Sequence, residues 1–235
     1  MTLERYIRNI GAITPAEQET LGSARVFVAG CGGLGGGVVD CLARLGVGGV
    51  LCDCDVFDET NLNRQLICSG NTLGRQKAEA ACEYARTVNP CARFEPVCER
   101  ITRENAMRLV SGCSLVIDAL DNAESRLALA KACDELGVPL VSGAVEGWCA
   151  QVCVLAAGGA ERGIAALFGP AAAKVKPPVL PFTALGCASV MSAEAAKLLL
   201  GRPSELIGKL LCLDMLNNDR TVFGVARLAG EAHRM

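Results

Sequence analysis

Residues 25–35 read Arg-Val-Phe-Val-Ala-Gly-Cys-Gly-Gly-Leu-Gly. Val26 to Ala29 is a short, continuous apolar run, as a strand buried on both faces requires. It leads directly into Gly30-Cys31-Gly32-Gly33-Leu34-Gly35, after which Leu34, Val38, Leu42 and Leu45 recur on one face of a helix. Glycines spaced this way let backbone approach a phosphate, and the N-terminus of the following helix favours the anion. Val50-Leu51-Cys52 supplies the next strand and ends at Asp53-Cys54-Asp55, which completes a βαβ unit. Asp53 then stands where a carboxylate reaches ribose hydroxyls. Alone, the unit specifies a nucleotide. An NAD enzyme, another nucleotide-binding protein and a structural glycine turn all remain open.

Working outward, Thr14-Pro15-Ala16-Glu17 is a capping box opening a short helix to about Leu21. Downstream the alternation continues. Helices are expected at 76–88 (stopped by Asn89-Pro90), 103–110 and 124–136, with strands at 93–98, 115–120 and 139–142. Residues 148–156 alternate as an antiparallel strand would. The stretch 157–182 is rich in Ala, Gly and Pro and reads as a long, mobile crossover. A helix over 183–200 follows, then strands at 209–215 and 220–228 joined by a turn at Asn217-Asn218-Asp219. The expected fold is α/β: a Rossmann-like, doubly wound sheet, mostly parallel, with C-terminal antiparallel strands, in one domain over 1–235.

Composition removes several function classes. The 235 residues are 51% hydrophobic and 4% aromatic with a formal charge of −2. That predicts a packed core and no basic field to draw nucleic acid or an anionic membrane. No uninterrupted apolar run reaches the roughly 18 residues that span a bilayer. The single histidine, His233, lies at the C-terminus, which excludes Ser-His-Asp, Cys-His and histidine-metal chemistry in the core. Met1 to Asn9 has no apolar signal segment, so the fourteen cysteines are expected to be reduced thiols in the cytoplasm. No Cys-x-x-Cys pair occurs, the nearest spacings being Cys52-x-Cys54 and Cys149-x3-Cys153. Paired zinc knuckles are therefore not available.

Three charged residues gather at the expected C-terminal edge of the sheet. Arg64, in the loop Asn61-Leu62-Asn63-Arg64-Gln65, can present a fork to a phosphate. Lys77 opens a helix, where a cation is unfavourable unless an anion is shared with the helix end. Asp121, in Asp118-Ala119-Leu120-Asp121-Asn122, can hold Mg²⁺, which takes one or two carboxylates plus phosphate oxygens. Two cations and a metal carboxylate have no evident use in hydride transfer.

From Arg5 to about Arg227 the chain resembles the adenylyltransferases that activate ubiquitin-like proteins, closest to the bacterial MoeB, ThiF and HesA group. The matching residues are Arg5-Tyr6-x-Arg8-Asn9-Ile10, the loop at 30–35, Asp53-x-Asp55, Asn61-Leu62-Asn63-Arg64-Gln65, Gly74-x-x-Lys77, Asn89-Pro90, Asp121-Asn122 with Arg126, and Pro139 to Gly143. The resemblance implies ATP- and Mg²⁺-dependent adenylation of the C-terminal glycine of a ubiquitin-like sulfur carrier ending in diglycine. It assigns nucleotide binding to Gly30, Gly32, Gly33, Gly35, Asp53, Asp55, Asn61, Arg64, Lys77, Asp121 and Asn122, with Asp121 organising the metal. Arg8 would match the arginine that reaches a partner subunit's nucleotide, which implies a homodimer. The segment 157–182 would guide the carrier's tail. Where many relatives carry zinc knuckles, this chain reads Glu161 to Ala165 and Ala229 to His233, so no zinc is expected. No cysteine lies between Cys153 and Cys187, and Cys187 is read as packing, so the expected reaction stops at adenylation. A tRNA-modifying dehydratase, a peptide-adenylating enzyme and a non-catalytic nucleotide binder remain alternatives.

Overall fold

A computed structural model describes residues 4–168 and 177–225. The run Arg25–Ala29 is β1 and Gly33–Leu45 is α2. Before them, α1 (Pro15–Ser23) opens on the capping box: Thr14 Oγ1 accepts from Glu17 N at 3.2 Å, and Glu17 Oε2 accepts from Thr14 N at 2.7 Å. Thr14→Ala should therefore cost about 1 kcal/mol. Thermal melting would show this as a drop of about 2–4 °C.

The remaining elements are β2 (Gly48–Cys52), α3 (Lys77–Val88), β3 (Phe94–Val97), α4 (Ala106–Val110), β4 (Leu115–Asp118), α5 (Ala123–Leu136), β5 (Leu140–Glu146), β6 (Cys149–Leu155), α6 (Ala160–Phe168), α7 (Pro181–Leu199), β7 (Lys209–Asp214) and β8 (Asp219–Gly224). The eight strands among the described residues form one sheet in the order β3-β2-β1-β4-β5-β6-β7-β8. Pairing is parallel from β3 to β5 and antiparallel from β5 to β8. One face packs Val26, Val28, Leu115 and Ile117 against α2, α3 and α7; the other packs Phe27, Ala29 and Val116 against α4, α5 and α6. Adjacent strand residues thus serve opposite layers. The strand order reverses between β1 and β4, which opens a crevice at their carboxyl ends.

Two expectations need correction. Residues 157–168 are not an irregular crossover but contain α6. Its cap comes from a distant residue: the Asp134 carboxylate accepts from the backbone N–H groups of Gly158, Ala160 and Glu161. The rest of the expected mobile stretch includes 169–176, which lie outside the described residues. Second, β5 extends past Ser142 to Glu146: its parallel partner β4 ends opposite Ser142, but antiparallel pairing with β6 carries it on to Glu146 opposite Cys149. The helix α7 is, by length and composition alone, long and apolar enough to cross a membrane. Glu194 and Lys197 interrupt its apolar run, and its buried face packs on α2, β5 and β6 as a core helix. The expected end of the last strand, 226–228, and His233 lie outside the described residues.

Candidate functional site

The glycine loop at 30–35 is built by backbone conformations and close approaches that only glycine allows. Gly30 turns out of β1 at φ 90°, and a Cβ there would stand 2.7 Å from the Ala119 carbonyl oxygen. A Cβ on Gly35 would collide with the Gly30 carbonyl. The first turn of α2 is thereby drawn against the end of β1, and the loop after β4 against both. Gly32 caps α2 without any side chain of its own, so the helix N-terminus faces outward with its N–H groups available to an anion.

Asp53 fastens this loop to β2. Its Oδ2 accepts from Cys31 N at 2.7 Å and its Oδ1 from Asp55 N at 2.8 Å. Burial pushes the Asp53 carboxyl above the usual range, opposed by these two N–H groups and by the Lys77 charge. Lys77, the first residue of α3, is buried beside the Phe57 ring, and its nearest carboxylate is Asp55 at 3.7 Å. An ammonium so enclosed and so loosely paired is arranged for an anion brought from outside.

Arg64 stands over the same loop. Its Cγ lies 3.7 Å from where a Cβ on Gly33 would sit. Its Nη1 donates to Thr60 O and Asn63 Oδ1, both at 2.8 Å, and Nε and Nη2 take no part in those bonds. Asn61 is spent locally: its Nδ2 donates to Asp58 Oδ1 and its Oδ1 accepts from Asp58 N. Its amide shapes the loop that carries Arg64. Gln65 is buried against Gly32, with its carboxamide oxygen unpaired.

Beyond β4, Asp121 is exposed at the crevice and Asn122 caps α5, its Oδ1 accepting from Ser125 N at 2.9 Å. A buried ion pair fixes this loop from beneath. Arg126 Nη1 donates to Asp118 Oδ2 at 2.7 Å and to Ser142 Oγ at 3.0 Å. Its Nη2 donates to Leu120 O and Gly143 O, and its guanidinium lies 4.2 Å from the Phe168 ring centroid. Asp118 Oδ1 in turn accepts from Leu120 N. The sequence reading missed the role of Asp118; its signal was an acid at the end of a strand buried on both faces.

The structure thus brings together Gly30, Gly32, Gly33, Gly35, Asp53, Asp55, Arg64 and Lys77, with the Asp121 loop packed against them. Arg8 is not among them. Its segment is tied to the other end of α2, where Asn89 Nδ2 donates to Tyr6 Oη and Ala43 O. Thirteen helical residues separate that end from the loop, roughly 20 Å. Among the described residues, one group has ligand atoms close enough to share a metal ion: Asp53, Cys54 and Asp55. Asp121 is not in it, and its Asp53 oxygens already accept from backbone. Cys187 is a core residue whose Sγ lies 3.5 Å from Gln151 O, and burial pushes its thiol up to about 12. It is no ready nucleophile. Chemically, the crevice offers a helix N-terminus and two cations to a chain of phosphates, and a carboxylate at its mouth.

The sequence model of the ThiF family matches residues 5–232. The chain is similar to the SAMP-activating enzyme E1 of Haloferax volcanii, 37% identical over 227 residues that cover 92% of this chain and 82% of that protein. It is 35% identical over 231 residues to a sulfur carrier protein adenylyltransferase of Thermus thermophilus, covering 91% and 84% of the two chains. Among solved structures, Escherichia coli MccB with ATP shares the fold at a TM-score of 0.83 and 20% identity, over 96% of this chain and 72% of that one.

Proposed function

This chain belongs to the ThiF family, and from that premise we propose that its crevice joins ATP to the C-terminus of a ubiquitin-like protein. It is an adenylyltransferase that activates a ubiquitin-like sulfur carrier, as the names of its relatives indicate. The carrier's terminal glycine carboxylate is ionised at neutral pH and needs no general base. One of its oxygens attacks the α-phosphorus of ATP. The bond from that phosphorus to the bridging oxygen breaks, and pyrophosphate leaves with the electron pair. The product is a mixed carboxylic–phosphoric anhydride. The chain's own residues need only align the two anions and offset charge on the departing pyrophosphate. A core without histidine suits this reaction.

The observation that carries the site assignment is Lys77, buried at a helix start beside the glycine loop with only a loose carboxylate partner. The reading gives the departing phosphates to Lys77 and Arg64, and the ribose to Asp53. Asp121 would hold Mg²⁺, which when bound would neutralise phosphate charge. Arg8 would serve the nucleotide of a second subunit in a homodimer; its tether at the far end of α2 supports this role. All fourteen cysteines are free, which supports a reducing, cytoplasmic setting, and the lack of Cys-x-x-Cys pairs supports a protein without zinc.

ATP–pyrophosphate exchange with a panel of carriers tests the reading. Exchange should require a carrier ending in diglycine. Exchange with a free peptide or with RNA instead would refute it. Arg64→Ala and Lys77→Ala should each raise the KM for ATP about 10- to 100-fold, the loss of a charge-assisted contact.

A further inference from the structure

We infer that Phe168 is a positioning residue for the reaction: its ring, laid on the Arg126 guanidinium, holds the crevice loop that carries Asp121. The ring centroid lies 4.2 Å from the guanidinium carbon, within the range where a cation is drawn to an aromatic face. Both terminal nitrogens of that guanidinium are already committed. Nη1 donates to Asp118 and Ser142, and Nη2 to Leu120 O and Gly143 O. These bonds use the edge of a planar group, and Phe168 covers its face. Leu120 immediately precedes Asp121, so the side chain under the ring is the one that fixes the backbone entering the loop.

The helix that delivers the ring is clasped at both ends to the helix that receives it. Arg126 and Asp134 lie eight residues apart on α5, roughly 12 Å along its axis. Ala160 and Phe168 have the same separation on α6. Asp134 holds the beginning of α6 by accepting from the N–H groups of Gly158, Ala160 and Glu161, and Arg126 meets its last residue. Between the two joints, Gly163 lets α6 close on β6: a Cβ there would stand 2.5 Å from Leu155 Cδ2. The helix is thus a strut that braces the guanidinium against Leu120 and Gly143. Without the ring, water reaches the face of a side chain that is 5% exposed and competes for the two carbonyls, which weakens their hold on the loop. A leucine supplies apolar bulk but no electron-rich face for the cation. The glycine loop, Lys77 and Arg64 are placed by other contacts, so the grip on ATP does not depend on the ring.

This inference rests on the reading of Asp121 as a working group of the crevice, and two measurements keep them apart. Amide hydrogen exchange of the ligand-free protein reads the loop itself. In Phe168→Leu, residues 119–122 should exchange about tenfold faster. The loop at 61–65, held by its own bonds to Asp58, should exchange as before. Well below the melting temperature, ATP–pyrophosphate exchange should lose about tenfold in kcat, the usual cost of removing a supporting group. The KM for ATP should stay within about twofold. Phe168→Tyr keeps the ring and should restore both the loop and the rate. A side chain that only filled space would instead loosen both loops together. Unchanged amide exchange at 119–122 in Phe168→Leu, equal acceleration in both loops, or a kcat within about twofold of the parent overturns the inference. If Asp121→Ala keeps full pyrophosphate exchange, the reading of Asp121 fails on its own. If the parent exchanges no pyrophosphate with any carrier, the adenylation reading fails. In either case amide exchange at 119–122 still decides whether Phe168 orders the loop.

Discussion

Asp121→Ala should reduce ATP–pyrophosphate exchange on the order of 10³-fold, even at saturating ATP. Removing one preorganised electrostatic contact to a developing charge costs about 10²–10³ in rate, and the role proposed for Asp121, holding Mg²⁺, is a demanding case of that. Asp121 is exposed, so the loss of activity should far exceed what any change in melting temperature accounts for. The loop beneath it stays anchored by Asp118 and Arg126 through the Leu120 backbone. Asp121→Asn, which keeps the shape and removes the charge, should be nearly as inactive. Raising Mg²⁺ should recover a little of the Asn variant's activity and none of the Ala variant's. Full exchange by either would remove Asp121 from the metal's neighbourhood.

Arg126→Ala should have the largest effect on stability. The Asp118 side chain is 0% exposed and that of Arg126 5%. Without the guanidinium, the Asp118 carboxylate keeps only Ser142 Oγ and Leu120 N as partners. Breaking a buried pair by removing one member costs about 3–5 kcal/mol, and the loss of packing on Phe168 adds to it. Melting should fall by about 10 °C or more. Removing both charges should be milder than removing one: Asp118→Leu with Arg126→Met ought to melt well above Arg126→Ala alone. A single variant that melts within about 2 °C of the parent would show that the pair contributes little. Exchange activity should suffer in the double variant too, because the guanidinium also fixes Leu120 O and Gly143 O.

These two residues mark the boundary of what the sequence carried. The strand–glycine–helix run at 25–45, the alternation through residue 136 and the antiparallel ending are all local patterns, and each appears in the structure. Lys77 was legible because a lysine at a helix start is electrostatically odd on its face. The helix α6 was not. Its segment is rich in Ala and Gly, and its N-terminal N–H groups are satisfied by Asp134, more than twenty residues upstream. No local capping signal could have shown it. The second half of β5 was likewise invisible, because only the partner strand extends it. Asn61 reads as a phosphate ligand, and its bond to Asp58, which shapes the loop carrying Arg64, shows only in the geometry. Gln65 sat in the quoted motif with no assigned task, and its unpaired carboxamide oxygen shows only once its neighbours are placed.

The glycine loop, Asp53, Arg64, Lys77 and Asp121 lie at the carboxyl ends of the parallel strands, and the turns that enter those strands lie at the opposite rim. There the chain enters β4 and β5 through Gly112 and Gly137, at φ 77° and 70°, with nothing within 4 Å of a Cβ built on either. A short epitope or a fluorophore handle spliced into those turns would sit a full strand length from the crevice. Those two turns are where a reporter of carrier engagement can be attached.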